Sequence, residues 1–181
     1  MDGVLADWIA GVVATAAAIA VRDGYRCDVP RPDQFRQFSV TRSFAGEQLD
    51  LILAAMTDPG LYARLPVQPG AADALRGMRA AGLDVFLCTS PDLDNPSCAS
   101  DKLAWAETHL GREFASQTII TKDKTAVRGD LLIDDKPSVT GLFAPLWQHV
   151  VFDHRYNRHV PGLRIRGWGS WRDVILPAVA A

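Results

Sequence analysis

Four short apolar runs, each ending in polar side chains, set the rhythm of the second half of the chain. Val85-Phe86-Leu87-Cys88 leads into Thr89-Ser90-Pro91, and Ile119-Ile120 into Thr121-Lys122-Asp123-Lys124. Leu131-Leu132-Ile133 leads into Asp134-Asp135, and Val150-Val151-Phe152 into Asp153-His154. Short, wholly apolar runs fit strands buried on both faces of a parallel sheet. Helical patterns lie between them. From Gly70, the residues Ala71, Ala74, Leu75, Met78 and Ala81 recur at helical spacing, with Pro69 before and Gly82 as a stop. A second helix is predicted over Asp101 to Leu110, with Leu103, Ala106 and Leu110 on one stripe, and a last one over Trp171 to Val179. Strands alternating with helices predict a three-layer, Rossmann-like α/β domain with a mostly parallel sheet.

The stretch from residue 10 to 66 breaks this alternation. It reads as helices and loops, punctuated at Pro30, Arg31 and Pro32 and again at Pro59-Gly60. A helical insertion over the mouth of the sheet is the economical interpretation, leaving residues 1–9 and 67–181 as the core. Trp8 to Val21 is nearly all apolar, but it is too short to span a membrane. The start carries an acid where a secretion signal needs positive charge. A buried helix is the expectation there.

The 181 residues suit one domain with a modest insertion, enough to bury a sizeable core. Nineteen basic residues against twenty-one acidic ones leave a net charge of −2, which gives no sequence-wide bias toward a nucleic-acid polymer or an anionic membrane. The three cysteines, Cys27, Cys88 and Cys98, lack zinc-like spacing. Cys88 in a predicted strand reads as an inert buried thiol, and a reducing cytoplasm is the natural compartment.

Open parallel sheets keep their chemistry at the carboxyl ends of the strands, which is where the polar residues fall here. Asp134 and Asp135 are the most informative of them. Two adjacent carboxylates in a partly desolvated crevice repel each other, and a hard divalent cation with oxygen ligands relieves that cost. By residue type alone the pair also fits a solvated turn, and Thr89 and Ser90 also fit the cap of a following helix. Consecutive strand residues point to opposite faces, so only one aspartate of the pair is expected to touch a cation directly.

Met1-Asp2-Gly3-Val4-Leu5-Ala6-Asp7, Cys88-Thr89-Ser90-Pro91, Lys122-Asp123-Lys124-Thr125 and Leu131-Leu132-Ile133-Asp134-Asp135-Lys136-Pro137 stand in this order along the chain. Together they resemble the ordered motifs of the haloacid dehalogenase superfamily, and more narrowly its cytosolic and mitochondrial 5'(3')-deoxyribonucleotidases and their bacterial relatives. Supporting pieces are Pro69-Gly70-Ala71, the Asp101-Lys102-Leu103-Ala104-Trp105 segment and Tyr156-Asn157-Arg158. The likeness is weakest between Val21 and Ala55.

The resemblance implies a Mg2+-dependent phosphatase acting on nucleoside monophosphates through an aspartyl phosphate, with a small helical cap inserted after the first motif. It implies that Asp2 protonates the leaving group and later activates water, that Thr89 and Ser90 bind the phosphoryl group, and that Lys124 pairs with the phosphate. Asp135 would ligate magnesium, the Asp2 carbonyl would be a further ligand, and Asp134 would act indirectly or through water. Trp8, Phe38, Val40, Met56 and Tyr62 match positions that line the base and deoxyribose pocket. An apolar wall there leaves a 2'-hydroxyl without a partner. Met56 stands where vertebrate members carry an aromatic, and Asp92 and Leu93 replace more apolar residues.

One departure follows from the same comparison. The family's first motif begins with a hydrophobic strand ending in the nucleophilic aspartate, followed by one residue and then Asp-Gly-Val-Leu-Ala-Asp. Met1 occupies that single intervening place, so the nucleophile and the central strand are expected upstream of Met1, and the chain as given is expected to lack aspartyl-phosphate chemistry. An internal methionine taken as the start, a truncation, and a noncatalytic nucleotide-binding pseudoenzyme are the competing explanations. A phosphatase of the same superfamily for another small phosphomonoester is a further alternative. The sequence leaves monomer and homodimer open.

Overall fold

The computed structural model describes residues 1–180. It is an α/β protein in which every strand pairing is parallel. Helix α1 (Trp8–Asp23) is followed by irregular chain and short 3-10 turns, then by α2 (Gly46–Thr57) and α3 (Ala71–Ala80). The alternating half contains β1 (Leu87–Thr89), α4 (Cys98–Leu110), α5 (Arg112–Ser116), β2 (Thr118–Ile120), β3 (Leu131–Asp134), β4 (Gln148–Phe152), β5 (Leu163–Ile165) and α6 (Trp171–Val179). All four predicted strands are present, and β5 adds one that the apolar runs did not mark. Leu163-Arg164-Ile165 carries a central arginine, so it lacks the signature of a continuous buried run.

The strands form two sheets. β1 pairs with β2, aligning Leu87 with Thr118 and Thr89 with Ile120. β3, β4 and β5 form the second sheet, with Ile133 opposite Val150 and Phe152 opposite Ile165. β1 and β3 are not paired with each other, so each has a partner on one side only.

Residues 1–6 lie between the carboxyl ends of β1 and β3 as a tight turn. The Met1 carbonyl accepts from the amides of Val4, Leu5 and Ala6 at 3.1, 2.7 and 3.1 Å. The turn is pinned from outside by Gln68 donating to the Leu5 carbonyl (2.7 Å) and by the Trp168 indole donating to the Val4 carbonyl (2.8 Å). Asp7 then caps α1, its carboxylate accepting from the Ala10 amide at 3.0 Å. Gly24 closes α1 in the left-handed conformation at φ 74°.

The expectation of a buried α1 holds for one face. Gly11, Val12, Ala16 and Ile19 are buried, whereas Val21 is 87% exposed. Alanine-rich helices carry little side-chain area, so an apolar sequence can leave a face in water at small cost. Helix α4 starts at Cys98, three residues before the predicted position, and its buried stripe is Cys98, Lys102, Trp105, Ala106 and Leu110. Leu103, expected on the stripe, is exposed. Among the described residues no helix is long and apolar enough to cross a membrane.

Candidate active site

Parallel strands deliver their carboxyl ends to one side, and the turn at residues 1–6 brings Asp2 and Gly3 to the same place. A cleft of about 500 Å³ opens there, a size suited to a small organic ligand. Its floor is polar, with Asp2, Thr89, Ser90, Lys124, Asp134 and Asp135. Its far wall, from α1 and the 35–56 segment, is apolar: Trp8, Ile9, Phe35, Phe38, Val40 and Met56. Trp8 meets Phe35 edge-on at 6.1 Å and Phe35 meets Phe44 at 4.8 Å, so the wall is a braced aromatic cluster.

Thr89 ends β1, is 1% exposed, and accepts through its Oγ1 from the Lys102 ammonium at 3.2 Å. The helix that it and Ser90 were alternatively expected to cap begins only at Cys98, so capping is not their role. Lys102 extends from α4 and is itself 1% exposed. It also donates to Asp2 Oδ2 at 2.6 Å and to the Ser90 carbonyl, and it lies 4.8 Å from the centre of the Tyr62 ring. All three ammonium protons are therefore used. The other carboxylate oxygen of Asp2 is buried with no partner among the described residues, an arrangement that favours an incoming donor or cation.

The paired aspartates divide as strand alternation requires. Asp134 turns to Lys124, whose ammonium it binds through Oδ2, while Oδ1 accepts from the Lys136 amide at 2.8 Å. Burial works against ionising Asp134, but the Lys124 ammonium prevails and holds its carboxyl below the usual range. Lys124 is likewise held above its usual value: burial opposes its charge and Asp134 outweighs burial. Asp135 turns the other way and accepts from the Tyr156 hydroxyl. Burial, reinforced by the neighbouring Asp134 charge, pushes its carboxyl up. Burial and Asp135 push the Tyr156 phenol up too, so it stays a donor.

Gly3 is required beside this carboxylate. Its φ of 68° suits glycine, and a Cβ built there would lie 2.6 Å from Asp135 Oδ2. Gly3→Ala is expected to displace the carboxylate and to cost about 1–3 kcal/mol through the left-handed backbone and the clash. Thermal unfolding checks it, and an unchanged midpoint would show that the turn can relax freely.

The oxygen set suits a hard cation in part. Asp135 is half-buried beside a second carboxylate, and no hydrogen-bond donor among the described residues reaches the Asp2 main-chain carbonyl. Among those residues no three His, Cys, Asp or Glu side chains converge as a ready metal group. Asp135 and the Asp2 carbonyl could hold Mg2+ only together with water or ligand oxygens, which is how this ion commonly binds.

The Lys124 turn is itself fixed. Asp123 accepts from the Leu142 amide at 2.8 Å and the Thr125 amide at 2.9 Å, and the Trp147 indole donates to the Lys124 carbonyl at 3.2 Å. These bonds tether the 138–147 loop, whose Val139 and Thr140 reach the cleft rim. The Leu142 amide foremost, with the Thr125 hydroxyl, holds the Asp123 carboxyl below the usual range. The stabilisation is therefore present above the unfolded value near pH ~4 and is lost as pH falls through the folded value. Hydrogen exchange at Leu142, normalised to β4 amides, is expected to accelerate in acid and to be flat from pH 6 to 9. Equal protection at pH 3 and 7 would exclude the tether.

Asp2, Trp8, Phe38, Val40, Met56, Thr89, Ser90, Lys124, Asp134 and Asp135 all line the one cleft. Tyr62 does not line it. Its ring is buried behind the floor, under Lys102, with its hydroxyl donating to Asp92 at 3.1 Å. Lys102 and Tyr156 are additions. A lysine on the same helical stripe as Trp105 and Ala106 was the available signal for the first. Cys88 is half-buried, and burial pushes its thiol up, away from reactive thiolate.

The fold and site define a parallel α/β protein that gathers acids, lysines and a buried hydroxyl at its strand ends, against an aromatic wall. The family model described as "5' nucleotidase, deoxy (Pyrimidine), cytosolic type C protein" matches residues 1–181, and the chain belongs to this family. It is 38% identical over 179 residues to a candidate 5'(3')-deoxyribonucleotidase of Bordetella bronchiseptica, covering 96% of this chain and 91% of that one. It is 37% identical to the human cytosolic-type 5'(3')-deoxyribonucleotidase, covering 97% and 90%. Identity to the human mitochondrial 5'(3')-deoxyribonucleotidase is 33%, covering 97% and 79%.

Proposed function

We propose that this protein is a Mg2+-dependent phosphatase of nucleoside monophosphates, with deoxyribonucleotides bearing a pyrimidine base as the preferred substrates. The observation that carries this reading is the two-sided cleft: a charged floor that suits a phosphate, facing an apolar and aromatic wall that suits a nucleoside. In this reading Thr89 donates its one hydroxyl proton to a phosphoryl oxygen while a lone pair of the same oxygen accepts from Lys102. Ser90 adds a second donor. Lys102 and Lys124 supply fixed positive charge where charge develops on the transferred group. Asp2 is aimed by Lys102 and protonates the leaving alcohol.

Asp135 and the Asp2 carbonyl would hold the cation, with Asp134 keeping Lys124 in place. When bound, Mg2+ would neutralise charge on the phosphoryl oxygens. Phe38, Val40 and Met56 would face the base and sugar from a helical cap formed by residues 10–66, with Trp8 beside them from the core, and the apolar wall disfavours a 2'-hydroxyl.

The nucleophile is a separate matter. Asp2 is paired with Lys102, Asp134 has both oxygens bonded, and Asp135 is bonded to Tyr156. None of the three is a free carboxylate. We place the nucleophilic aspartate on a strand upstream of Met1 that would pair with the open sides of β1 and β3 and complete one three-layer core. The same commitment of all three acids favours, as the second reading, a noncatalytic nucleotide-binding protein.

The test is an assay of the protein with its upstream residues on dUMP, dTMP and 3'-UMP, with and without Mg2+. Cation-dependent release of phosphate is the expected result. Cleavage of another phosphomonoester alone would overturn the substrate assignment. Nucleotide binding without turnover would establish the second reading.

A further inference from the structure

Tyr156 lies at the junction of the two halves of the cleft, and the geometry fixes it there. Its ring stacks on His154, with centroids 5.0 Å apart and planes 1° from parallel, and it meets Phe38 edge-on at 5.9 Å. His154 is anchored in turn through Nε2 to the Gly3 carbonyl. The next residue, Asn157, is fully buried and donates to the main-chain carbonyls of Asp135 and Phe152, each at 2.8 Å. Its side-chain oxygen accepts from the His154 amide at 2.9 Å and from Arg164 at 3.0 Å. Residues 156 and 157 thus grip Asp135 twice, by its side chain and by its main chain.

A carboxylate with two oxygens can rotate about its last bond, and an unconstrained one offers a cation several poses. Here one oxygen is committed to the Tyr156 hydroxyl, on the side where Gly3 leaves no room for a side chain. Asp135 Oδ1 accepts no hydrogen bond among the described residues, and Asp135 lines the cleft.

We propose that Tyr156 is a positioning residue: its hydroxyl orients Asp135 toward a divalent cation, and its ring backs the Phe38 wall. This rests on the proposed function for its cation but not for its substrate. The two contributions separate by substitution. Tyr156→Phe removes the hydroxyl and keeps the ring, whereas Tyr156→Leu removes both.

The experiment is a Mn2+ titration of the protein followed by electron paramagnetic resonance, with no nucleotide present. Hydrogen-bond partners of ligating groups commonly contribute 10–100-fold to metal affinity. Tyr156→Phe is expected to weaken Mn2+ binding by about tenfold with an unchanged melting midpoint. In turnover it should lower kcat at limiting Mg2+, with kcat recovering in excess Mg2+ and KM unchanged, while Tyr156→Leu should raise KM as well. Wild-type Mn2+ affinity in Tyr156→Phe overturns the proposal, as does a wild-type protein that takes up no Mn2+. Because the titration uses no nucleotide, loss of the substrate assignment leaves its outcome readable.

Discussion

Lys102→Met is expected to destabilise the protein by about 3 kcal/mol, because breaking a buried ion pair from one side leaves the other charge uncompensated. The lysine is 1% exposed and serves Asp2, Thr89 and the Ser90 carbonyl together. Methionine follows the lysine stem as far as Cε without the ammonium, so the loss isolates the charged group and keeps most of the packing. Asp2 would then keep no side-chain hydrogen bond among the described residues, since its second oxygen already has no partner there. For a domain of this size the midpoint should fall by about 6–12 °C. In the nucleotidase assay, kcat/KM should fall at least ~100-fold, the usual scale for losing one fixed donor near developing charge. Lys102→Arg should fail to rescue, because a planar guanidinium cannot make three bonds in the directions of a compact ammonium. Equilibrium denaturation and steady-state kinetics check both claims. Wild-type stability in Lys102→Met would mean that Asp2 finds other partners and that the lysine is incidental.

Asp135→Asn should separate function from stability. Burial and the Asp134 charge both disfavour an ionised Asp135 when no cation is bound. The neutral amide keeps the shape and removes that repulsion, while Tyr156 can still bond its oxygen. In metal-free buffer the variant is therefore expected to melt above the wild type. Activity should move the other way, by about 10³-fold, the rate equivalent of ~4 kcal/mol of lost charge stabilisation. Mg2+ should raise the melting midpoint of the wild type and leave that of the variant unchanged. A variant with wild-type turnover would remove Asp135 from the site. One that melts lower in metal-free buffer would show that its charge is compensated by the surrounding dipoles.

Much of the site was legible because its parts are local. An apolar run ending in two acids places both at a strand tip, and the two-residue period of a strand sends Asp134 and Asp135 to different partners. Lys124 and Asp134 meet across ten positions of sequence, through one loop whose length the sequence displays. The apolar wall was legible only through the resemblance, since Trp8, Phe38, Val40 and Met56 share no spacing that distinguishes them from core. Lys102 escaped because its partner Asp2 lies 100 positions away, and because the helix stripe read as Leu103, Ala106 and Leu110 keeps Ala106 and Leu110 in the structure but takes Lys102 and Trp105 instead of Leu103. A short helix with alanines on several faces has no strong preference for one face, so tertiary contacts choose it.

The amino-acid order by itself determined the α/β class, the four apolar strands and the polar residues at their ends, because periodicity and chain punctuation act over a few residues. Tertiary structure alone decided which lysine is buried against Asp2, that Tyr62 lies behind the floor, and that Tyr156 holds Asp135. Those outcomes depend on which distant surfaces are brought together and stripped of water. A side chain's charge environment is a property of that assembled interior, and no local pattern encodes it.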